Sequence, residues 1–261
     1  MSHNWTQGSP TVAEGVRVTT LTPPPATATV RFAFFDVDET LIRIKSMFSF
    51  KEFFQRHYAD GTEAARIEQY QQFIRRIEDY QRRGMRREFI NRAYYESYQG
   101  QEPERIRTCA RAWFSQIRAE ISDLYVTQTR GRLHAHQARG EEPVLVSGSS
   151  VEILAPVAEE LGVQHVLATR LEVKNGRYTG RILLPQMIGD GKRIAVMNFM
   201  ETHGASPQEC FAYGDHPSDL PLLEAVGNPR IVGEDARMLA VAVERGWEVV
   251  QTRSEEKQVV K

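Results

Sequence analysis

Asp36 and Asp38 stand two residues apart in Asp36-Val37-Asp38-Glu39-Thr40, directly after the run Val30-Arg31-Phe32-Ala33-Phe34-Phe35. Where a strand gives way to a turn, two such carboxylates can be aimed at one site. One can attack an electrophile such as phosphorus while the other moves protons to and from the leaving group. Two acids that cap a loop or a following helix would look the same, and this motif alone leaves both readings open. A second polar cluster, Ser147-Gly148-Ser149-Ser150, follows Val144-Leu145-Val146. Its hydroxyls and free backbone N–H groups suit an oxyanion or phosphate, although a serine-rich helix cap is the plainer alternative. Lys192, in Gly189-Asp190-Gly191-Lys192-Arg193, opens a helix against the direction the helix dipole favours, which points to an anion in front of it, with Arg193 as the runner-up. Asp215 and Asp219, in Gly214-Asp215-His216-Pro217-Ser218-Asp219, could complete an acidic cluster with Asp36, and hard oxygen donors of this kind suit octahedral Mg²⁺.

The elements that must hold these residues are legible around them. Four short apolar runs, at Val30–Phe35, Pro143–Val146, Cys210–Tyr213 and Arg230–Val232, read as strands of a sheet covered on both faces. Helical patterns at Val151–Leu161, Lys192–His203, Asp219–Ala225 and Glu234–Arg245 separate the later runs, so the chain is α/β with a parallel sheet. The polar clusters fall just after the strands, where ligands bind in open α/β sheets. Between Phe48 and Gln137 apolar residues recur at helical spacing instead, as in Ile67, Tyr70, Phe73, Ile74 and Ile77. This stretch reads as an all-helical insert, punctuated by Gly61, Gly84, Gly100 and Pro103. Asn175-Gly176 between two alternating runs predicts a tight hairpin at or near an edge of the core.

Bulk composition narrows the partners. The chain has 261 residues, 41% hydrophobic and 26% charged, with a formal net charge of −1, so nothing global favours nucleic acid or an anionic membrane. No run approaches the ~20 apolar residues of a membrane span. Two distant cysteines fit a reducing cytoplasm and no disulfide framework. Residues 1–29, rich in Thr, Pro and Gly, read as a flexible leader in which Trp5 could dock, and residues 251–261 as a tail. The arginines of the insert (Arg75, Arg76, Arg82, Arg83, Arg86 and Arg87) interleave with Glu78, Asp79 and Glu88. That pattern describes a solvated helix face; a binding module for nucleic acid or an acidic partner is the competing reading of another class.

Taken together, the four motifs occur in the order that marks the haloacid dehalogenase superfamily. From Val30 to Val250 the chain resembles its subfamily IB, the phosphoserine-phosphatase-like branch. The resemblance implies a Rossmann-like parallel-sheet core over 30–46 and 138–250, with a C1-type helical cap over 47–137. It implies an Mg²⁺-dependent phosphatase acting on a small phosphorylated metabolite: Asp36 the nucleophile, Asp38 the general acid and base, and Lys192 the neutralising cation. Ser147, Gly148 and Thr40 would hold phosphate or shape its loop. Asp36, Asp38 and Asp215 would hold the metal, with Asp219 behind them.

One departure bears on substrate. Phosphoserine phosphatases carry a glutamate a short way after the nucleophile, facing the substrate ammonium; an ungapped reading puts Lys45 there, and Ser218 stands where they commonly have asparagine. The reversed charge disfavours phosphoserine and leaves Arg43, Lys45, Ser218 and His216 as candidate substrate contacts, with an anionic or polyhydroxylated leaving group. Phosphoserine or another amino-acid or amino-alcohol phosphate is the alternative. Transfer of the phosphoryl group to an alcohol would use the same residues.

Overall fold

A computed structural model describes residues 30–252 of the protein. The leader with Trp5, and the tail beyond residue 252, lie outside the described residues. Six parallel strands form one sheet in the order β3-β2-β1-β6-β7-β8. They are β1 (Phe32–Phe35), β2 (Glu142–Ser150), β3 (His165–Thr169), β6 (Phe211–Gly214), β7 (Asn228–Val232) and β8 (Glu248–Val250). The central strand shows why the sheet needs cover on both sides. Its four residues are all buried, with Phe32 and Phe34 in one apolar cluster and Ala33 and Phe35 in the other. Helices α7 (Asp190–Thr202), the one-turn α8 (Leu220–Leu223) and α9 (Ala236–Arg245) supply the first cluster; α6 (Val151–Leu161) and the helical insert supply the second. Because β2, β1 and β6 are neighbours, the loops after all three open at one edge of the sheet. Strands β3 and β8 are not among the runs read from the sequence.

Between β1 and β2 run α1 (Ser46–His57), α2 (Glu63–Arg82), α3 (Arg87–Glu96), α4 (Pro103–Glu120) and α5 (Thr127–Ala138). Phe50, Phe73, Tyr94, Tyr98 and Trp113 of the insert belong to the same buried cluster as Leu145, Ile153 and Leu154 of the sheet layer, so the insert and the core share apolar packing. Ion pairs Arg111–Glu159 and Arg118–Glu160 line the α4–α6 contact. The sequence expectation carried the insert to residue 137, a range that takes in α5. Helix α5 packs against β2, its His136 bonds the Tyr213 hydroxyl of β6 at 2.8 Å, and its Arg132 pairs with Glu248 of β8. Its Gln137 also donates to the Leu161 carbonyl of α6 at 3.0 Å, so α5 lies against the sheet and its covering helix.

The hairpin β4 (Leu171–Lys174) and β5 (Arg177–Ile182) turns at Asn175 and Gly176, with φ of 52° and 76°, the paired positive values that a tight two-residue turn requires. It forms its own two-stranded sheet and packs on α3 and the α3–α4 turn of the insert instead of extending the main sheet. Tyr178 exchanges backbone hydrogen bonds with Gly100 and Gln101, both at 2.9 Å. Gly180 is held to glycine by this contact: a Cβ there would lie 3.2 Å from the Glu96 backbone, at a φ of 83°.

Candidate active site

Asp36 continues β1 by one residue, its N–H donating to the Tyr213 carbonyl of β6 at 2.9 Å. The chain then turns: Leu41 and Ile42 both donate to the Val37 carbonyl, and Glu39 takes a φ of 63°, an unusual value outside glycine. The turn brings the side chains of Asp36 and Asp38 to one cavity of about 100 Å³, which Ser147, Gly148, Lys192 and Asp215 also line. Lys192 reaches it because Gly191 lets α7 begin hard against the preceding loop; a Cβ on Gly191 would fall 1.6 Å from the Gln186 carbonyl oxygen.

Charge in this cavity is dense and buried. The Lys192 Nζ lies 2.5 Å from Asp36 Oδ1 and 2.6 Å from Asp219 Oδ1. Burial works against its charge, but Asp219 and Asp36 outweigh burial and raise its pKa, so it stays protonated. Burial pushes Asp36 up to about 6 despite Lys192, Asp38 up to about 7 despite hydrogen bonding from Ser46, and Asp215 up to about 8 with help from the Asp36 charge. Carboxylate oxygens of Asp36, Asp215 and Asp219 lie within 4.8 Å of one another. Asp38 Oδ1 is buried with no hydrogen-bond partner. An all-oxygen donor set, crowded enough to hold protons near neutrality, fits a hard divalent cation.

The remaining residues singled out from sequence fall in several places. Ser147 is buried at the end of β2, its Oγ accepting from the Ser149 N–H at 3.1 Å. Asp219 is committed to Lys192, and its Oδ2 accepts from the His216 N–H at 3.2 Å. Thr40 does not line the cavity; its hydroxyl donates to Asp215 Oδ1 at 2.7 Å, so it orients a carboxylate. Arg43 is drawn away by Asp123 at 3.4 Å and is absent from the cavity wall. Lys45 stands at the rim, exposed, 3.5 Å from Glu39. His216 is half-buried in the wall beside Ser218, whose N–H donates to its Nδ1 at 3.0 Å. Burial, with Arg87 nearby, lowers the pKa of His216, which keeps the ring neutral.

Several wall residues were not found from sequence: Met47 and Phe48 of α1, Arg87 and Asn91 of α3, and Met187 and Ile188 before α7. Arg87 alone carried a usable signal. It is the first residue of α3, a cation against the helix dipole as Lys192 is, but it sits in a run of arginines that read as a solvated face. In that face Arg82 and Arg83 do pair with Asp79. Among the described residues no helix is long and apolar enough to cross a membrane.

Comparisons with known proteins agree with this geometry. The family model for haloacid dehalogenase-like hydrolases matches residues 33–224. A probable phosphatase of Mycobacterium tuberculosis is 31% identical over 226 residues, covering 84% of this chain and 74% of that protein. Among solved structures, a Bordetella pertussis Tohama I protein of unknown function aligns with a TM-score of 0.72 at 27% identity, over 86% of this chain and all of that one. A phosphoserine phosphatase captured as a phospho-aspartyl intermediate analogue aligns at 0.56 with 16% identity, over 86% and 94% of the two chains, a likeness of fold. With the family model spanning most of the chain and the acidic cluster at the ends of adjacent strands, the protein belongs to the haloacid dehalogenase-like hydrolases.

Proposed function

We propose that the protein is an Mg²⁺-dependent phosphatase that cleaves a small phosphomonoester through a phosphoryl group carried on Asp36. The observation that carries this reading is the pairing of the Asp36 carboxylate with Lys192 at 2.5 Å while Asp38, whose Oδ1 has no hydrogen-bond partner among the described residues, lines the same cavity. An Asp36 oxygen attacks phosphorus as the ester P–O bond breaks, and Asp38, raised to about 7 by burial, gives its proton to the departing oxygen. Asp38 then takes a proton from a water that attacks the same phosphorus, which breaks the Asp36–phosphorus bond and releases orthophosphate. Lys192 holds Asp36 in place and opposes the charge of the incoming phosphate, and the Ser147 hydroxyl and neighbouring N–H groups receive its oxygens. Asp36, Asp215 and the Asp38 carbonyl, backed by Asp219, would hold Mg²⁺, which supplies neutralisation of the phosphate charge.

The leaving group meets a wall that holds two cations, Lys45 (paired with Glu39) and Arg87, beside neutral His216 and Ser218. This favours an anionic or polyhydroxylated alcohol over the ammonium of phosphoserine. The two cysteines are free and buried, in keeping with a cytoplasmic setting. A panel of sugar, polyol, amino-acid and nucleoside phosphates assayed with Mg²⁺ beside Asp36→Asn tests the reading. Phosphate release that disappears in the variant is expected. Release from none of them sinks the phosphatase, and phosphoserine as the preferred substrate sinks the leaving-group assignment.

A further inference from the structure

The carbonyl oxygen of Gly148, within the serine-rich loop, accepts three hydrogen bonds: from Thr169 Oγ1 at 2.8 Å, from the Tyr95 hydroxyl at 3.0 Å and from Asn91 Nδ2 at 3.1 Å. A carbonyl has two lone pairs, and the core residue Thr169 occupies one of them. The two further donors come from α3 of the insert, 53 and 57 residues away in the chain. Both are fixed. Tyr95 is 0% exposed, and burial drives its phenol pKa far above the usual value, so it remains a donor. Asn91 is 4% exposed, and its Oδ1 accepts from Gln186 Nε2 at 3.0 Å, which leaves its Nδ2 facing Gly148. Gln186 in turn donates to the Glu88 carbonyl at 2.7 Å and accepts from Arg92 at 2.8 Å.

The consequence passes through one rigid unit. A trans peptide is planar, so the C=O of Gly148 and the N–H of Ser149 point in opposite directions. Holding the carbonyl towards the insert turns the Ser149 N–H the other way, where it donates to Ser147 Oγ at 3.1 Å. That bond occupies Ser147 as an acceptor, and its own proton, for which the described residues offer no acceptor, is left for the cavity that Ser147 lines.

We infer that Tyr95 and Asn91 are positioning residues for phosphate binding: through the Gly148–Ser149 peptide they aim the Ser147 hydroxyl at the phosphate, which ties the seating of the insert to the core site. This inference rests on the proposed phosphatase reading. Its test is a double-mutant cycle in the full chain between Tyr95→Phe and Ser147→Ala, reading orthovanadate affinity and kcat/KM on p-nitrophenyl phosphate with Mg²⁺. Tyr95→Phe should weaken both by about 3- to 10-fold, the worth of one buried hydrogen bond. In the Ser147→Ala background it should have no further effect. Thr169→Val, which removes the core donor from the same carbonyl, should behave alike. Effects that multiply independently, or a lowered Tm with orthovanadate affinity unchanged, overturn the inference. A wild-type protein that neither binds orthovanadate nor releases phosphate overturns the phosphatase reading along with it.

Discussion

Two lysines, one in the core and one in the insert, are equally buried and opposite in character. Lys192 is 4% exposed and sits between the Asp36 and Asp219 carboxylates, which raise its pKa against the effect of burial. Lys51 of α1 is 5% exposed, and its ammonium lies 5.2–5.6 Å from the ring centroids of Tyr98, Phe73 and Phe54. Among the described residues no carboxylate pairs with it; burial, with Arg76 adding repulsion, lowers its pKa to about 8. Aromatic faces attract a cation weakly, by roughly 1–2 kcal/mol, less than removal from water takes away. Burial sets the penalty and the partners set its outcome. In the core the ammonium completes a charged site, whereas in the insert it is tolerated within packing.

Four experiments would break or sharpen that contrast. Asp36→Asn removes the proposed nucleophile and should reduce phosphate release on the order of 10⁴-fold or more in steady-state assays; a variant retaining a tenth of the activity would dismantle the proposed mechanism. Lys192→Met should lower kcat/KM by about 10²- to 10³-fold. Lys192→Arg should fail to restore it, since a planar guanidinium does not fit a slot shaped for a point charge between two carboxylates.

The third experiment concerns pH. Asp36, Asp38 and Asp215 hold protons up to about 6, 7 and 8 when folded, well above the ordinary carboxylate value. The unfolded chain therefore loses these protons first, and their contribution to stability falls as pH rises from about 4 to 8. A divalent cation relieves that loss. Millimolar Mg²⁺ should raise the Tm by several degrees at about pH 8.5 and hardly at about pH 5; equal shifts at both would contradict the shifted carboxylates. The smallest effect is expected of Lys51→Met. Below about pH 8 the wild-type protein bears the full penalty of a charged Lys51, which disappears as pH climbs through 8 towards the unfolded value near 10.5. The variant should be more stable by about 1–3 kcal/mol at neutral pH, with the gain shrinking at about pH 9.5 and activity unchanged. Denaturant unfolding at the two pH values measures it.

The core site was open to sequence reading because each of its parts is local. Asp36, Ser147 and Asp215 each follow an apolar run, and Lys192 opens a helix, so position relative to an element already says where the side chain must be. The insert side was closed to it. Asn91 and Tyr95 matter through a carbonyl more than fifty residues away, and Gln186 through partners 95 and 98 residues away, distances that periodicity does not encode. Periodicity also misleads on α2: Ile67 shares the helical spacing of Phe73 and Ile77, but the latter two are buried and Ile67 is exposed. Arg43 and Lys45 looked equivalent by spacing, but Arg43 pairs with Asp123 away from the cavity and Lys45 with Glu39 in its wall.

The hairpin that leaves the core to grip the insert bears on how this architecture can be recombined. Arg177 bonds the Gly100 carbonyl at 2.8 Å and Glu102 at 2.6 Å, and the Tyr178 hydroxyl reaches back to Glu152 of α6 at 2.6 Å. A cassette exchange that swapped only the stretch between β1 and α5 for that of a relative would strand both side chains against an unmatched surface. It would also set Gly180, shaped to one backbone, against another. The heritable unit of the insert thus includes residues 171–182, which the chain order assigns to the core.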